Sequence, residues 1–192
     1  RMDMRYIYIN GGPAEAPDGG SHHFNSWRSS TRTIRYAEES LRYGLIPVFV
    51  WYNLPDGGES YTTDLSHAQS KGYMQAYFKD LKNFLTDVQD VLGDDLYGVI
   101  LEPDFLGYMQ QLSGKQPDQI KSVVNLTRDV HGAVDGYTLR DSYVTATYDS
   151  GHYVFSNTLD EGIAGEGDGT ITDLVQAINY VIKTHGGNVW FG

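Results

Sequence analysis

Five short runs of β-branched and aromatic residues recur along the chain and are separated by longer stretches with a different period. They cover residues 4–10, 46–52, 97–101, 143–148 and 188–191. Runs of this length and composition are typical of buried strands. The pattern therefore predicts five strands.

The stretches between these runs carry apolar residues three or four positions apart, which is the period of an amphipathic helix. The strongest stretch covers residues 73–92 and stops at Gly93, a residue suited to ending a helix. Two further helices are predicted over 31–43 and from Pro117 to about residue 130. The last covers 172–183, with Thr172 as its N-cap. Strand and helix therefore alternate from the first predicted strand to the fifth.

This alternation predicts an α/β fold with a parallel sheet and helical crossovers. An open doubly wound sheet and a TIM-like (β/α) barrel both have this pattern. The repeat of roughly 45 residues favours the barrel, because an open sheet needs shorter units. A complete barrel typically needs about 250 residues, whereas this chain has 192. We therefore expect residues 1–192 to be the N-terminal part of a single barrel domain, and the remaining part of that barrel to be a partner.

Charge and composition narrow the class of partner. The chain has 14 basic and 25 acidic residues, which gives a formal net charge of −11. This balance disfavours nucleic acid and anionic membranes, since both attract basic surfaces. No apolar run approaches the roughly 20 residues of a membrane-spanning helix. The absence of cysteine removes disulfides and thiolate chemistry.

Polar residues cluster directly after the predicted strands, where parallel α/β folds place their functional groups. The clearest cluster is Glu102-Pro103-Asp104, after the third strand. Because residues two apart on a strand share a face, we expect Glu102 and Asp104 to point together into the barrel mouth. There, like charge and partial burial would raise a carboxyl pKa toward the range of a general acid. Asp56 and Asp149 follow the second and fourth strands in the same way.

The segment 99–107 resembles the signature of glycoside hydrolase family 6, the cellobiohydrolases and endoglucanases, in which an apolar strand ends in Glu-Pro-Asp. The segment 48–56 is similar to that family's second-strand pattern. In that pattern, apolar residues are followed by Tyr, then by Asp or Asn, then by any residue, and finally by Pro. The resemblance covers roughly residues 45–134. It implies a distorted (β/α) barrel, a β-linked glucan as substrate, inversion of configuration and Asp104 as the proton donor, with Glu102 positioning or tuning it. No cofactor is needed for that reaction.

The chain departs from the family's pattern after the second strand. Where the family usually carries a second Asp, which tunes the acid, this chain has Gly58. Asp56 and Glu59 are the candidates to replace that carboxylate. An inverting enzyme also needs a base about 6.5–9.5 Å from the acid. Asp149 is the candidate within this chain, and a base from the remaining part of the barrel is the alternative.

Aromatic and polar residues near the predicted loop edges are the candidates for contacting an oligo- or polysaccharide, because ring faces stack on sugar faces. These residues are Trp27, Trp51, Tyr52, Asn53, Glu59, Tyr108 and His152. No metal is expected: His22 and His23 are adjacent and would point apart in an extended loop, and the Gly-rich segment 166–169 lacks the ligand spacing of a calcium loop.

Three functions stay open. The first is an inverting hydrolase of a β-glucan. The second is a carbohydrate-binding barrel without hydrolysis, which Gly58 favours, and the third is a retaining glycosidase of another family, whose carboxyl groups would be about 5–5.5 Å apart. The chain opens at Arg1 without an apolar leader, which suits a mature secreted protein, a cytosolic one or an excerpt equally. With a polysaccharide as substrate, we expect a secreted or periplasmic protein.

Overall fold

The computed structural model describes residues 3–13, 32–128, 137–140, 145–149, 152–156 and 169–192, and between residues 125 and 156 it describes the strands alone. In chain order the elements are β1 (Met4–Asn10), α1 (Arg32–Arg42), β2 (Ile46–Tyr52), α2 (Tyr61–Ala68), α3 (Lys71–Leu92), β3 (Tyr97–Leu101), α4 (Phe105–Ser113), a 3₁₀ turn (Pro117–Gln119), β4 (Lys121–Ser122), β5 (Asn125–Arg128), β6 (Tyr137–Arg140), β7 (Thr145–Asp149), β8 (His152–Ser156), β9 (Gly169–Thr170), α5 (Ile171–His185) and β10 (Val189–Phe191).

The predicted α/β class is confirmed by a four-stranded sheet with the order β1-β2-β3-β10. All three neighbouring pairs are parallel. The first three strands have the predicted bounds, and the last begins one residue later than predicted. Among the described helices, none has the length and apolar character needed to cross a membrane.

The helices begin and end where side chains satisfy the free backbone groups. The long helix α3 begins after Ser70, whose hydroxyl accepts a hydrogen bond from the N–H of Tyr73, and it ends at Gly93 with φ 56°. In α5 the N-cap is Thr170 instead of the predicted Thr172. Thr170 forms a capping box with Asp173, in which each side chain accepts from the other residue's backbone N–H.

The helix predicted from Pro117 to about residue 130 is wrong. It stops after the 3₁₀ turn, and the chain continues as β4 and β5. Long-range hydrogen bonds hold this segment extended: the N–H of Val123 donates to the carbonyl of Ala68, and the N–H of Ile171 donates to that of Ile120. Tertiary contacts therefore override the local helix signal.

The predicted fourth parallel strand is also wrong. Residues Thr145–Asp149 form β7, which pairs antiparallel with β8, and Asp149 lies opposite His152 at the end of this hairpin. Two residues, Ser150 and Gly151, separate the strands, and a link that short can join antiparallel strands only. Asp149 therefore does not follow a strand of the parallel sheet.

One face of the sheet carries the core. Helices α1, α3 and α5 all contribute to a buried cluster with alternate residues of β1, β2 and β3. Phe49 of β2 is at its centre and makes edge-to-face contacts with Phe84 of α3 at 5.2 Å and Tyr36 of α1 at 5.6 Å. In the part of the chain that the structure describes, these three helices thus cover the same face.

The opposite face of the sheet is also apolar. Val48 and Val50 of β2 are buried there but do not belong to the core cluster. Gly98 faces the same way, because a Cβ on it would lie 3.2 Å from Val48 and 3.6 Å from Trp190. Trp190 itself is 64% exposed.

Candidate active site

The site lies where β2 and β3 end side by side. Trp51 is paired with Leu101 in the parallel register, and the N–H of Glu102 donates to the carbonyl of Trp51 at 2.8 Å. The residues that follow the two strands therefore meet at the carboxyl edge of the sheet, as the sequence predicts. This edge is where α/β enzymes place their functional groups.

Glu102 is turned into the protein and is only 6% exposed. Its carboxylate accepts hydrogen bonds from the N–H of Asn53 at 2.9 and 3.1 Å, from the N–H of Leu54 at 3.1 Å, and from the hydroxyl of Tyr77 at 3.0 Å. Burial raises the pKa of Glu102 to about 8, while these hydrogen bonds act in the opposite direction. Glu102 thus ties the start of the β2 loop to the end of β3 and to α3.

The expectation that Glu102 and Asp104 share a face is wrong. The strand ends at Leu101, and Glu102 has φ 40°, in the left-handed region that residues other than glycine rarely adopt. Strand alternation therefore stops one residue too early for the two carboxyl groups to point together. Glu102 is buried, whereas Asp104 is exposed.

Asp104 precedes α4 but does not cap it with a side-chain hydrogen bond. Its Oδ2 accepts a hydrogen bond from the hydroxyl of Tyr52 at 3.1 Å. Burial raises the pKa of Tyr52, and the hydrogen bond and charge of Asp104 raise it further. The phenol therefore keeps its proton and donates it, and two predicted site residues lie in direct contact.

Asp64, which the sequence analysis did not single out, lies close to Asp104. It is on α2, is 1% exposed, and its Oδ1 has no hydrogen-bond partner among the described residues. Burial raises the pKa of Asp64 to about 7, and the charges of Glu59 and Asp104 add to this rise. A buried carboxyl group among like charges is a frequent mark of a functional site.

Tyr108 completes the group. Burial raises its pKa, and the charges of Asp104, Glu59 and Asp64 act in the same direction. We call these five residues the carboxylate–tyrosine cluster: Tyr52, Glu59, Asp64, Asp104 and Tyr108. It combines exposed and buried carboxyl groups whose charges act on one another, which is an arrangement suited to general acid and base chemistry.

The sequence contains a signal for Asp64 that apolar periodicity does not show. Helix α2 is short, and periodicity does not predict a helix over residues 61–68. Ser60 is nevertheless a good N-cap, and its side chain accepts from the N–H of Thr63 at 3.2 Å. A helix begun at Ser60 places Asp64 in its first turn.

Trp51 and Asn53, expected to bind the substrate, are buried instead, each 1% exposed. Trp51 alternates with Tyr52 along β2 and therefore faces the helices, where its ring lies 5.0 Å from that of Phe84. Asn53 donates from Nδ2 to the carbonyl of Ile9 at 3.1 Å, and its own carbonyl accepts from the hydroxyl of Tyr73 at 2.6 Å. Both residues therefore support the carboxyl edge of the sheet from its buried side.

Asp56 and Glu59 occupy different places in the loop after β2. Asp56 packs closely against Gly12 of the first loop. The carboxyl group of Asp56 occupies the space that a Cβ on residue 12 would need, and Gly12 has φ 81°. Glu59 is exposed and acts on Asp64, Tyr52 and Tyr108 through its charge. Of the two candidates to replace the carboxylate missing at Gly58, Glu59 is thus the one in the cluster.

The remaining three candidates lie outside the residues whose side chains the structure describes. Trp27 is outside the described residues. Asp149 and His152 are described only as a strand pair at the end of the β7–β8 hairpin. Their proposed roles stay predictions.

A cavity of about 240 Å³ lies beside Glu102 and Pro103, between α4 and α5. Its lining is largely apolar and includes Phe105, Leu106, Val175 and Ile178. In the described ranges, no group of three or more His, Asp or Glu side chains is placed to hold a metal ion.

Comparisons of the chain with protein-family models, with curated proteins and with solved structures find no match.

Proposed function

We propose that the protein is a glycoside hydrolase of a β-linked glucan and that Asp104 donates the proton to the leaving oxygen. The observation that supports this most is the position of Asp104. It is an exposed carboxyl group at the carboxyl end of a parallel strand, it accepts a hydrogen bond from the hydroxyl of Tyr52 at 3.1 Å, and its charge acts on the buried Asp64. The resemblance of the segments 48–56 and 99–107 to glycoside hydrolase family 6 points to the same residue.

In this proposal the sheet is part of a (β/α) barrel. Two features support it: the strand order increases in one direction without reversal, and the three crossover helices cover one face. A doubly wound sheet reverses its strand order and carries helices on both faces. The opposite, apolar face would then be the barrel interior, completed by further strands.

The chemistry is inverting hydrolysis. Asp104 gives its proton to the glycosidic oxygen while a second carboxylate takes a proton from the attacking water on the opposite side of the sugar ring. Glu59, which is exposed like Asp104, is one candidate for the base, and Asp149 and the remaining part of the barrel are the others. No cofactor takes part in this scheme.

Hydrolysis of a soluble β-glucan tests the proposal. The variant Asp104→Asn should lower the release of reducing ends by about 10²–10⁴-fold, because it removes a general acid. Asp118→Asn is the matched control, since Asp118 is an exposed carboxyl group on the 3₁₀ turn. Equal activity of the two variants would contradict the proposal.

A carbohydrate-binding protein without hydrolysis is the second candidate. Gly58 favours it, because glycine stands where the resembling family has a carboxylate. Calorimetry with a cello-oligosaccharide separates the two: binding without any product after long incubation supports the binder. If product forms, NMR of its first anomer distinguishes inversion from the retaining mechanism.

A further inference from the structure

We propose that the cavity between α4 and α5 is a binding site for a small neutral apolar group, either an aromatic ring system or a short alkyl chain. Its wall includes Leu101, the last residue of β3, and Gly192, which follows β10. The cavity therefore lies at the carboxyl edge of the sheet, where parallel α/β folds bind their ligands. The inference does not rest on the proposed hydrolysis, because no residue of the carboxylate–tyrosine cluster lines the cavity.

The wall is built from residues that the core holds in place. Phe105, at the start of α4, is 2% exposed and Ile178 of α5 is 4% exposed, and both belong to the core cluster. The strand ends are joined by a backbone hydrogen bond, in which the N–H of Leu101 donates to the carbonyl of Gly192 at 2.9 Å. The cavity is therefore preformed, because closing it would require packed helices to move.

The chemistry of the wall selects neutral apolar groups. Glu102 is the only charged residue in the described part of the wall. Its carboxylate already accepts hydrogen bonds from the N–H groups of Asn53 and Leu54 and from the hydroxyl of Tyr77. A charged group or a sugar would lose its hydrogen bonds to water in this cavity without replacement, which costs free energy. An apolar group loses no hydrogen bonds and is favoured on leaving water.

The volume of the cavity sets the size of its ligand. It is about 240 Å³, whereas an apolar cavity of about 150 Å³ holds benzene. There is therefore room for roughly two fused rings or a short alkyl chain. Leu106 and Asn179 are exposed members of the wall and mark its open side. A bound group would contact the buried wall at one end and reach solvent at the other.

The wall includes both chain neighbours of Asp104, which are Pro103 and Phe105. The apolar group can therefore come from two sources. It is either a free molecule or the apolar leaving group of a glycoside whose sugar part lies at the carboxylate–tyrosine cluster. Both sources have the chemistry that the wall selects, and their affinities distinguish them.

Fluorescence titration with 2-naphthol, a neutral probe of two fused rings, tests the site in the unmodified protein. We expect saturable binding of one probe per chain. The anion 2-naphthoate carries the same rings, and it should bind at least about tenfold more weakly because the wall offers its charge no partner. If 2-naphthol does not saturate the protein below about 1 mM, or if 2-naphthoate binds as tightly, the inference is overturned.

Two leucines of α4 provide a matched pair of variants. Leu106 lines the cavity and Leu112 does not, and both are exposed, by 40% and 63%, so that neither change disturbs the core. Leu106→Ala should raise the dissociation constant of 2-naphthol about three- to tenfold, because part of the apolar contact is lost. Leu112→Ala should leave it unchanged. Equal dissociation constants for these two variants would place the probe elsewhere and overturn the inference.

A larger side chain on α5 tests the opposite wall. Val175 lines the cavity and is only partly buried. Val175→Phe should weaken the binding of 2-naphthol by more than about tenfold, because the added ring takes the space of the probe. Unchanged binding in a folded Val175→Phe protein would contradict the assignment of the probe to this cavity.

The glycoside 2-naphthyl β-cellobioside distinguishes the two sources of the apolar group. Its binding is measured with Asp104→Asn, which slows any cleavage. Binding tighter than that of 2-naphthol assigns the cavity to an apolar leaving group, while equal or weaker binding assigns it to a free molecule, and either result supports the site. A protein that binds 2-naphthol here but hydrolyses no glycoside overturns the proposed function alone. A protein that hydrolyses a β-glucan but does not bind 2-naphthol overturns this inference alone.

Discussion

At the scale of single residues, the backbone conformation of Glu102 determines that its own carboxyl group is buried and that the carboxyl group of Asp104 is exposed. The sequence predicts that Glu102 and Asp104 follow a buried strand, and both are at that edge. It does not predict that Glu102 has φ 40°, which ends the alternation of side chains. Three donors from the β2 loop and α3 fix Glu102 inside, and Asp104 is left at the surface beside Tyr52. Such a conformation depends on partners far away in sequence, and so periodicity cannot predict it.

The buried carboxyl of Asp64 should make stability depend on pH. Its pKa is about 7 in the folded protein, against an ordinary value of 3.8. As the pH rises from about 4 to 7, the unfolded chain loses this proton first, so the free energy of unfolding should fall by up to about 1.4 kcal/mol per pH unit. Asp64→Asn should remove this part of the slope.

Urea unfolding at pH 4.5, 6 and 7.5 measures the slope. The control is Asp90→Asn, since Asp90 is exposed on α3. Glu102 contributes a slope of the same sign between pH 4.5 and 8 in all three proteins, so the comparison is the difference between the variants. Parallel curves for Asp64→Asn and Asp90→Asn would refute the assignment.

At the scale of elements, the strands of the parallel sheet and the long helices could be predicted, whereas the short helices and the antiparallel strands could not. The first three strands and α3 have strong local patterns, and their bounds agree with prediction to within two residues. The segment after Pro117 carries apolar residues at helical spacing, but its hydrogen bonds to the carbonyl of Ala68 and from the N–H of Ile171 hold it extended. The pattern predicts a parallel strand at β7 and none at β8, although Ser150 and Gly151 between them are a turn signal.

The N-terminus of α5 allows a matched comparison of two threonines. Thr170 accepts a hydrogen bond from the N–H of Asp173 at 3.3 Å, and its own N–H donates to Asp173 at 2.8 Å. Thr170→Ala should therefore lower the free energy of unfolding by about 1 kcal/mol, whereas Thr172→Ala, inside the helix, should change it much less. Chemical denaturation measures both. A larger loss for Thr172→Ala would place the cap where the sequence alone put it.

At the scale of the whole molecule, alternation of strand and helix predicts the α/β class. The order of the strands in the sheet is information that alternation does not contain. The sheet has the order β1-β2-β3-β10 with α1, α3 and α5 on one face, and the barrel that we propose accounts for both features. The opposite face carries Val48, Val50 and the exposed Trp190, which a barrel would enclose. These positions follow from pairings between distant strands, and local periodicity contains no information about such pairings.

The intact mass of the native protein tests this view of the fold. The chain accounts for 21.5 kDa, and a complete barrel of about 250 residues is heavier. We expect a mass clearly above that of the chain. A native protein of 21.5 kDa with no partner chain bound to it would contradict the barrel.

The central claim is that Asp104 donates a proton to the leaving oxygen, and the dependence of the rate on the leaving group tests it most directly. Asp104→Asn should lower hydrolysis of a β-glucan by about 10²–10⁴-fold. The same variant should hydrolyse a dinitrophenyl β-cellobioside at close to the unmodified rate, since that leaving group departs without a proton. If Asp104→Asn lowers both rates equally, or lowers neither, Asp104 is not the acid.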